Sequence, residues 1–198
     1  MFNYLGVTLD ETMTWKEHVA MLSEKVNKRL GMLGRIRNCL TLKAAQCVYN
    51  TIINPIFNYA DTAWGELSQT NGDSLQRLQN RAASIIMRRN RSREAIDILG
   101  WMNLSVQRKV NKCVLVYKSL NGVIPQYFEH YFCKNNQYHN YNTRRNQDIH
   151  LPNARLSVGK RTFRFSAAVI FNSLTSNIKN SATLSIFKTR LKNHFYST

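Results

Sequence analysis

The residues best placed to do chemistry are arginines and aromatics rather than acids or nucleophiles. At 100° per residue, Arg77, Arg81 and Arg88 fall within about 40° of one another on a helix. They lie away from the apolar stripe of Leu75, Leu78, Ala82, Ile85 and Ile86. The helix then runs into Arg88-Arg89-Asn90-Arg91-Ser92-Arg93. A helix C-terminus favours cations, but this cluster exceeds what the dipole needs and fits phosphate binding. A second basic stretch, Lys160-Arg161-Thr162-Phe163-Arg164-Phe165, alternates charge with aromatic rings like a half-exposed strand. There the phenylalanines read as core and the cations as exposed. Tyr138, Tyr141, Arg144 and Arg145 are rings and cations of the kind that stack on single-stranded bases, or simply decorate a loop.

Catalysis finds little support. Metal-assisted phosphoryl chemistry needs several carboxylates converging on one or two ions. Asp10-Glu11 are explained by a turn and a helix start, and Glu94 with Asp97 by the first turn of a short helix. Neither pair has a third acid nearby. His130, Cys133 and His139 lack the spacing of a zinc site. No phosphate-cradling Gly-rich loop or nucleophile motif is present. No catalytic residue, metal site or cofactor is expected.

The charge points outward to a partner. The 198 residues carry 28 Lys and Arg against 11 Asp and Glu, a formal charge of +17. Residues 1–97 hold 13 basic and 9 acidic side chains, whereas residues 98–198 hold 15 basic ones and only Glu129 and Asp148 as acids. An imbalance this uneven implies a polyanion: RNA, an RNA–DNA hybrid or DNA. An anionic membrane surface could use the same charge, but no apolar run reaches the roughly 18 residues of a bilayer span, and no membrane partner is expected. Widely spaced Cys39, Cys47, Cys113 and Cys133 read as thiols of a nuclear or cytoplasmic protein. Oligomeric state is not legible.

The elements that must position these residues are mainly helical. Residues 2–10 read as a strand whose partner lies outside the chain, with Gly6 marking a bend. Thr14-Trp15-Lys16-Glu17 reads as a capping box opening a long amphipathic helix through Val19, Leu22, Val26, Leu30 and Leu33. Gly31 and Gly34 weaken its last third. Thr41 caps a second helix, which Pro55 ends or kinks, and residues 56–65 continue as helix. A polar turn at 68–72 precedes the arginine helix, capped by Asp73 or Ser74. Ser92 and Ser105 cap two more, the second closed by Asn121-Gly122. Residues 126–158 read as a long loop with short extended pieces, 167–174 as a short helix, and Thr183 as the cap of a final one. The expected domains are a strand at 1–13, a helical region at 14–121 and a basic region with minor β structure at 122–198.

These residues together resemble the C-terminal part of a non-LTR retrotransposon reverse transcriptase, of the jockey-like and chicken-repeat-like kind. The likeness runs in order through Tyr4-Leu5-Gly6-Val7-Thr8-Leu9-Asp10 with Trp15-Lys16-Glu17-His18-Val19, Asn54-Pro55 with Tyr59 and Trp64-Gly65, and Leu75-Gln76-Arg77-Leu78-Gln79-Asn80-Arg81-Ala82. It continues through Leu99-Gly100-Trp101, Tyr117-Lys118-Ser119-Leu120-Asn121-Gly122 with Pro125, and Ser185-Ile186-Phe187-Lys188. Phe171-Asn172-Ser173-Leu174-Thr175 departs from the family's Trp-Asn-x-Leu-Pro. The resemblance implies a thumb-like helical bundle and post-thumb region, with Tyr4, Leu5 and Gly6 near a primer terminus. It places the family's metal-binding aspartates upstream of Tyr4, so the chain reads as a non-catalytic fragment. Arg77, Arg81, Arg88, Arg89, Arg91, Arg93, Arg144, Arg145, Lys160, Arg161 and Arg164 are the expected nucleic-acid contacts. The alternatives are a structural or partner-binding basic helical protein and a domesticated gene in which this tail gained its own role.

Overall fold

A computed structural model describes residues 1–89, 92–128, 130–138 and 144–196. The chain forms two compact units, Met1–Gln107 and Arg108–Thr198, and is mainly α-helical.

The first unit opens on a β-hairpin, which corrects the expectation of a strand with an outside partner. Strands β1 (Phe2–Tyr4) and β2 (Val7–Leu9) pair antiparallel, with Tyr4 opposite Val7. The two residues between them, Leu5 and Gly6, have φ of 47° and 80°. Two left-handed residues make the tight turn whose twist matches paired strands, and Gly6 adopts that conformation without steric cost. Asn3 Oδ1 accepts the Gly6 N–H at 3.2 Å, and the Tyr59 hydroxyl donates to the Leu5 carbonyl at 2.7 Å. These bonds hold Leu5 in a region that β-carbon crowding disfavours.

Helix α1 (Lys16–Ile36) follows, but not through the expected capping box. Its N-cap is Trp15, with φ 63° and no side-chain capping bond. Asp10 does the work instead. Its carboxylate accepts the amides of Thr12, Thr14 and Trp15 and the hydroxyls of Thr12 and Thr14, at 2.7–3.3 Å. Partial burial pushes this carboxyl's pKa up, and the bonds from Thr14, Trp15 and Thr12 outweigh it and hold it below the usual value. Gly31 and Gly34 do not interrupt the helix.

Thr41 caps α2 (Leu42–Val48), its side chain accepting from Ala44 N. The helical path then widens into a π-turn at Tyr49–Ile53 before α3 (Asn54–Asn58). The wider turn accommodates Pro55, whose ring and missing N–H a regular α-helix resists. The expected continuation to residue 65 breaks at Ala60, with φ 51°, and α4 (Asp61–Trp64) is a separate piece. Helix α5 (Gln69–Met87) starts earlier than expected, capped by Ser68, whose side chain accepts from Asn71 N. Residues 69–72 are therefore helix, because the cap lies ahead of them. Helix α6 (Ser92–Ile98) closes against α5, with Ala83, Ala95 and Ile96 buried.

Helices α1 and α5 run parallel. Asn71 reaches the Thr14 carbonyl, Arg81 reaches Asn27, and Arg37 reaches the Ile86 carbonyl, so start meets start and end meets end. The core between them takes Val19, Leu22, Val26, Leu30 and Leu33 from one helix and Leu75, Leu78, Ala82 and Ile86 from the other. Tyr49, Phe57 and Trp64 fill it from the side, and Tyr49 stacks on Trp101 with ring centroids 3.9 Å apart.

The second unit takes most of α7 (Leu104–Leu120). The helix closes as expected: Val123 N–H donates to Lys118 O, Gly122 N–H to Ser119 O, and Gly122 has φ 65°. Within residues 126–158 lie a 3₁₀ turn at Gln126–Phe128, helix α8 (Asn135–Tyr138) and an isolated bridge between Lys134 and Ile149. The expected basic strand at 160–165 is instead the end of α9 (Ser157–Arg161) and the start of α10 (Phe163–Asn172). Six alternating residues are a weak signal. The helical spacing of Ala167, Ala168 and Phe171, all buried, prevails. Helices α11 (Ser176–Lys179) and α12 (Leu184–Tyr196) complete the unit. Tyr117 stacks on Phe187 at 4.3 Å and donates its hydroxyl to Ser181 O at 2.6 Å.

Candidate nucleic-acid interface

The expected contact residues separate into two sets, one on each unit. On the first, Arg77 and Arg81 lie exposed on α5, opposite its buried stripe. Arg81 Nη1 donates to Asn27 Oδ1 at 3.0 Å, which ties this face to α1. Arg88, also exposed, ends the helix. It is the C-cap of α5 with φ 53°, so the helical wheel no longer applies to it. Its Nη2 donates to the Arg37 carbonyl at 3.1 Å, while Arg89 stands exposed beside it. Arg91 lies outside the described residues, and so does the side chain of Arg93 within α6.

Arg37 was not among the expected residues, and it organises this end of the unit. Its guanidinium is buried and donates through Nε and Nη2 to Ile86 O and through Nη1 to Leu40 O. It thereby satisfies a terminal carbonyl of α5 and places a cation where two parallel helices end. Burial and then the charge of Arg88 lower its pKa, yet a guanidinium stays protonated throughout the physiological range.

Helix α1 also has an open face that its apolar periodicity does not reveal. Asn27, Gly31 and Gly34 follow one another at helical spacing and are all exposed. A β-carbon at either glycine would meet nothing within 4 Å. Neither glycine is required by packing inside the protein. The signal was available in the sequence as two costly helix residues three apart.

The hairpin presents Phe2, Tyr4 and Leu5, respectively 64%, 60% and 73% exposed, at its outer side. It is fastened to α1 by His18, which is buried and whose Nδ1 accepts the Thr8 N–H at 3.3 Å. Its Nε2, and hence the ring's one proton, has no hydrogen-bond partner, and the ring packs edge-on against Trp64 at 5.1 Å. Burial and then the charge of Lys25 lower the pKa of His18. The unfolded side chain titrates near 6.5, so the neutral folded form contributes stability above that pH. This contribution is lost as pH falls through 6.5 towards the lower folded value. Protonation also removes the acceptor that Thr8 uses. Thermal melts at pH 7.5 and 5.5 are expected to show a drop that the His18→Phe protein shows to a smaller degree. Equal drops in both would remove His18 from this role.

On the second unit, Arg144 and Arg145 are exposed. Lys160 is exposed on α9 and Arg161 is partly buried. Arg164 lies with its guanidinium 5.5 Å from the centroid of the Tyr131 ring, and Phe163 packs on Tyr131 and Phe132. The phenylalanine is structural, as expected, and the cation is held on a ring. The cysteines are free thiols, with Cys113 buried and its pKa pushed up to about 12 by that burial. Among the described residues, no helix is long and apolar enough to cross a membrane.

Two curated proteins of Drosophila melanogaster resemble this chain. The probable RNA-directed DNA polymerase from transposon BS is 34% identical over 86 residues, which is 42% of this chain and 10% of that protein. The probable RNA-directed DNA polymerase from transposon X-element is 32% identical over 87 residues, again 42% and 10%. Over that stretch the chain is related to the transposon RNA-directed DNA polymerases. The match spans about a tenth of each relative's length. No family model matches the chain. No solved structure matches it either.

Proposed function

We propose that this chain is a non-catalytic, nucleic-acid-holding part of a retrotransposon reverse transcriptase, with residues 14–121 acting as a thumb. In this reading the first unit grips a template–primer duplex along α1 and α5. The observation that carries the proposal is the pairing of exposed Arg77 and Arg81 with the open Asn27–Gly31–Gly34 stripe beside them. Arginines neutralise phosphates, and a helix edge without β-carbons lets a duplex come close. Tyr4, Leu5 and Gly6, at the hairpin turn, are the residues assigned to the primer terminus. Arg88 and Arg89 extend the cationic surface past the helix end. The carboxylates fit a holding role, since several already serve the fold: Asp10 anchors the start of α1, Asp73 accepts from Gln69 and Asp148 pairs with Lys179. Four free thiols suit a nuclear or cytoplasmic setting.

The test is binding of a labelled RNA–DNA hybrid across a salt series. Affinity is expected to fall linearly with salt on logarithmic axes, as phosphate neutralisation requires. The glycines add a sharper readout. Gly31→Ala and Gly34→Ala are each expected to stabilise the fold by about 0.5–1 kcal/mol, because alanine is the better helix former and has room. Gly31→Leu with Gly34→Leu is expected to fold well yet lose hybrid affinity by roughly ten-fold, equivalent to about 1.4 kcal/mol. Salt-insensitive binding, or leucines that leave affinity intact, would sink the proposal.

A further inference from the structure

A stacked pair of rings on the second unit marks a different kind of site. Tyr138, at the end of α8, lies face to face with His150, with ring centroids 3.8 Å apart and planes 8° from parallel. Tyr138 is nevertheless 66% exposed. The backbone beneath the pair is fixed. His150 N–H donates to Cys133 O at 2.8 Å, and Asn135 N–H to Asp148 O at 2.9 Å. Asn172 of α10 accepts from Ile149 N and donates to Ile149 O, each at 2.9 Å.

His150 lines an open cleft of about 590 Å³, together with Asn135, Arg145, Leu151, Val169 and Asn172. Among the described lining residues the one carboxylate, that of Asp148, is neutralised by Lys179 Nζ at 3.0 Å. The Arg145 guanidinium is exposed, and no hydrogen bond or ion pair engages it among the described residues. A flat ring backed by a second ring, beside an exposed cation in a strongly basic unit, suits a base and its phosphate. Paired bases in a duplex are already stacked and hidden, so the ligand must be single-stranded.

We propose that this cleft binds single-stranded nucleic acid, one base stacking on the His150–Tyr138 pair and Arg145 taking an adjacent phosphate. The proposal rests on the reading of the chain as a nucleic-acid-binding protein, but it invokes residues of the second unit alone.

The test uses the full chain, fluorescence anisotropy, and short labelled oligouridylate and oligothymidylate with an abasic strand of equal length. Base-bearing strands are expected to bind roughly ten-fold tighter than the abasic one, the range that aromatic stacking supplies. Whichever sugar binds tighter identifies the RNA or DNA source. Tyr138→Ala is expected to abolish the preference for bases and Tyr138→Phe to keep it. Arg145→Glu, at an exposed position, is expected to weaken all strands without altering the circular dichroism spectrum. Equal binding of abasic and base-bearing strands overturns the proposal, as does an unchanged base preference in Tyr138→Ala. If the RNA–DNA hybrid still binds in that case, the duplex reading stands without it. If the hybrid fails as well, both fall.

Discussion

Replacing Arg77 and Arg81 together by glutamate is expected to lower affinity for an RNA–DNA hybrid by about 100-fold at moderate salt. Each arginine that neutralises a phosphate adds about one unit to the slope of log affinity against log salt. The double alanine variant should therefore lose about two units of slope, and charge reversal should add repulsion to that loss. Both positions are exposed and lie off the buried stripe of α5, so the melting transition should move by less than about 0.5 kcal/mol. Arg81 also gives up its bond to Asn27, an exposed contact of small energetic weight. The measurement is anisotropy against a labelled hybrid at several salt concentrations, with thermal melting in parallel. An unchanged slope at unchanged stability would show that the α5 arginines do not touch the duplex. Because the matched relatives are some ten times longer than the matched stretch, the same substitutions made in a whole transposon polymerase offer an independent check.

Arg37→Ala is expected to destabilise the first unit by about 3 kcal/mol, since charged hydrogen bonds contribute roughly 1.5–3 kcal/mol and their loss strands buried carbonyls. Two of its three bonds converge on one oxygen, Ile86 O, and the third reaches Leu40 O. Lysine cannot reproduce this, because its single nitrogen cannot span both carbonyls in the fork geometry of a guanidinium. Arg37→Lys should therefore recover less than half of the loss. Chemical denaturation of the wild-type and two variant proteins reads this directly. A loss below about 1 kcal/mol would mean that water satisfies the Ile86 and Leu40 carbonyls when the side chain is removed. The two substitutions separate the roles of two arginine groups that look alike in sequence: one that presents charge outward, and one that spends it inward.

The helices were legible wherever the information was local. The stripe of Leu75, Leu78, Ala82 and Ile86, the Thr41 cap and the Asn121-Gly122 stop each depend on residues within a turn or two of one another. The hairpin is not legible locally because Leu5-Gly6 is not a strong turn pair. Its closure relies in part on Tyr59, more than fifty residues away. Asp10 was read as a turn residue, although it supplies the anchor attributed to Thr14, because five donors converge on it only once the chain curls back. The basic stretch around Phe163 alternates like a strand when read by itself. The buried positions that make it a helix lie further on, at Ala167, Ala168 and Phe171.

By itself, the sequence determined the helical class, the concentration of positive charge in the second half and the likeness to transposon polymerases. These follow from composition, short-range periodicity and ordered motifs. The tertiary structure alone decided where individual side chains stand and what they bond. Arg88 ends α5 as a left-handed residue and bonds the Arg37 carbonyl. Arg37 turned inward because two parallel helices finish side by side. Tyr138 met His150 because backbone bonds join residues 133–136 to residues 146–150. Charge and helix period are properties of a stretch of chain, whereas a binding face is made by contacts between residues far apart in it.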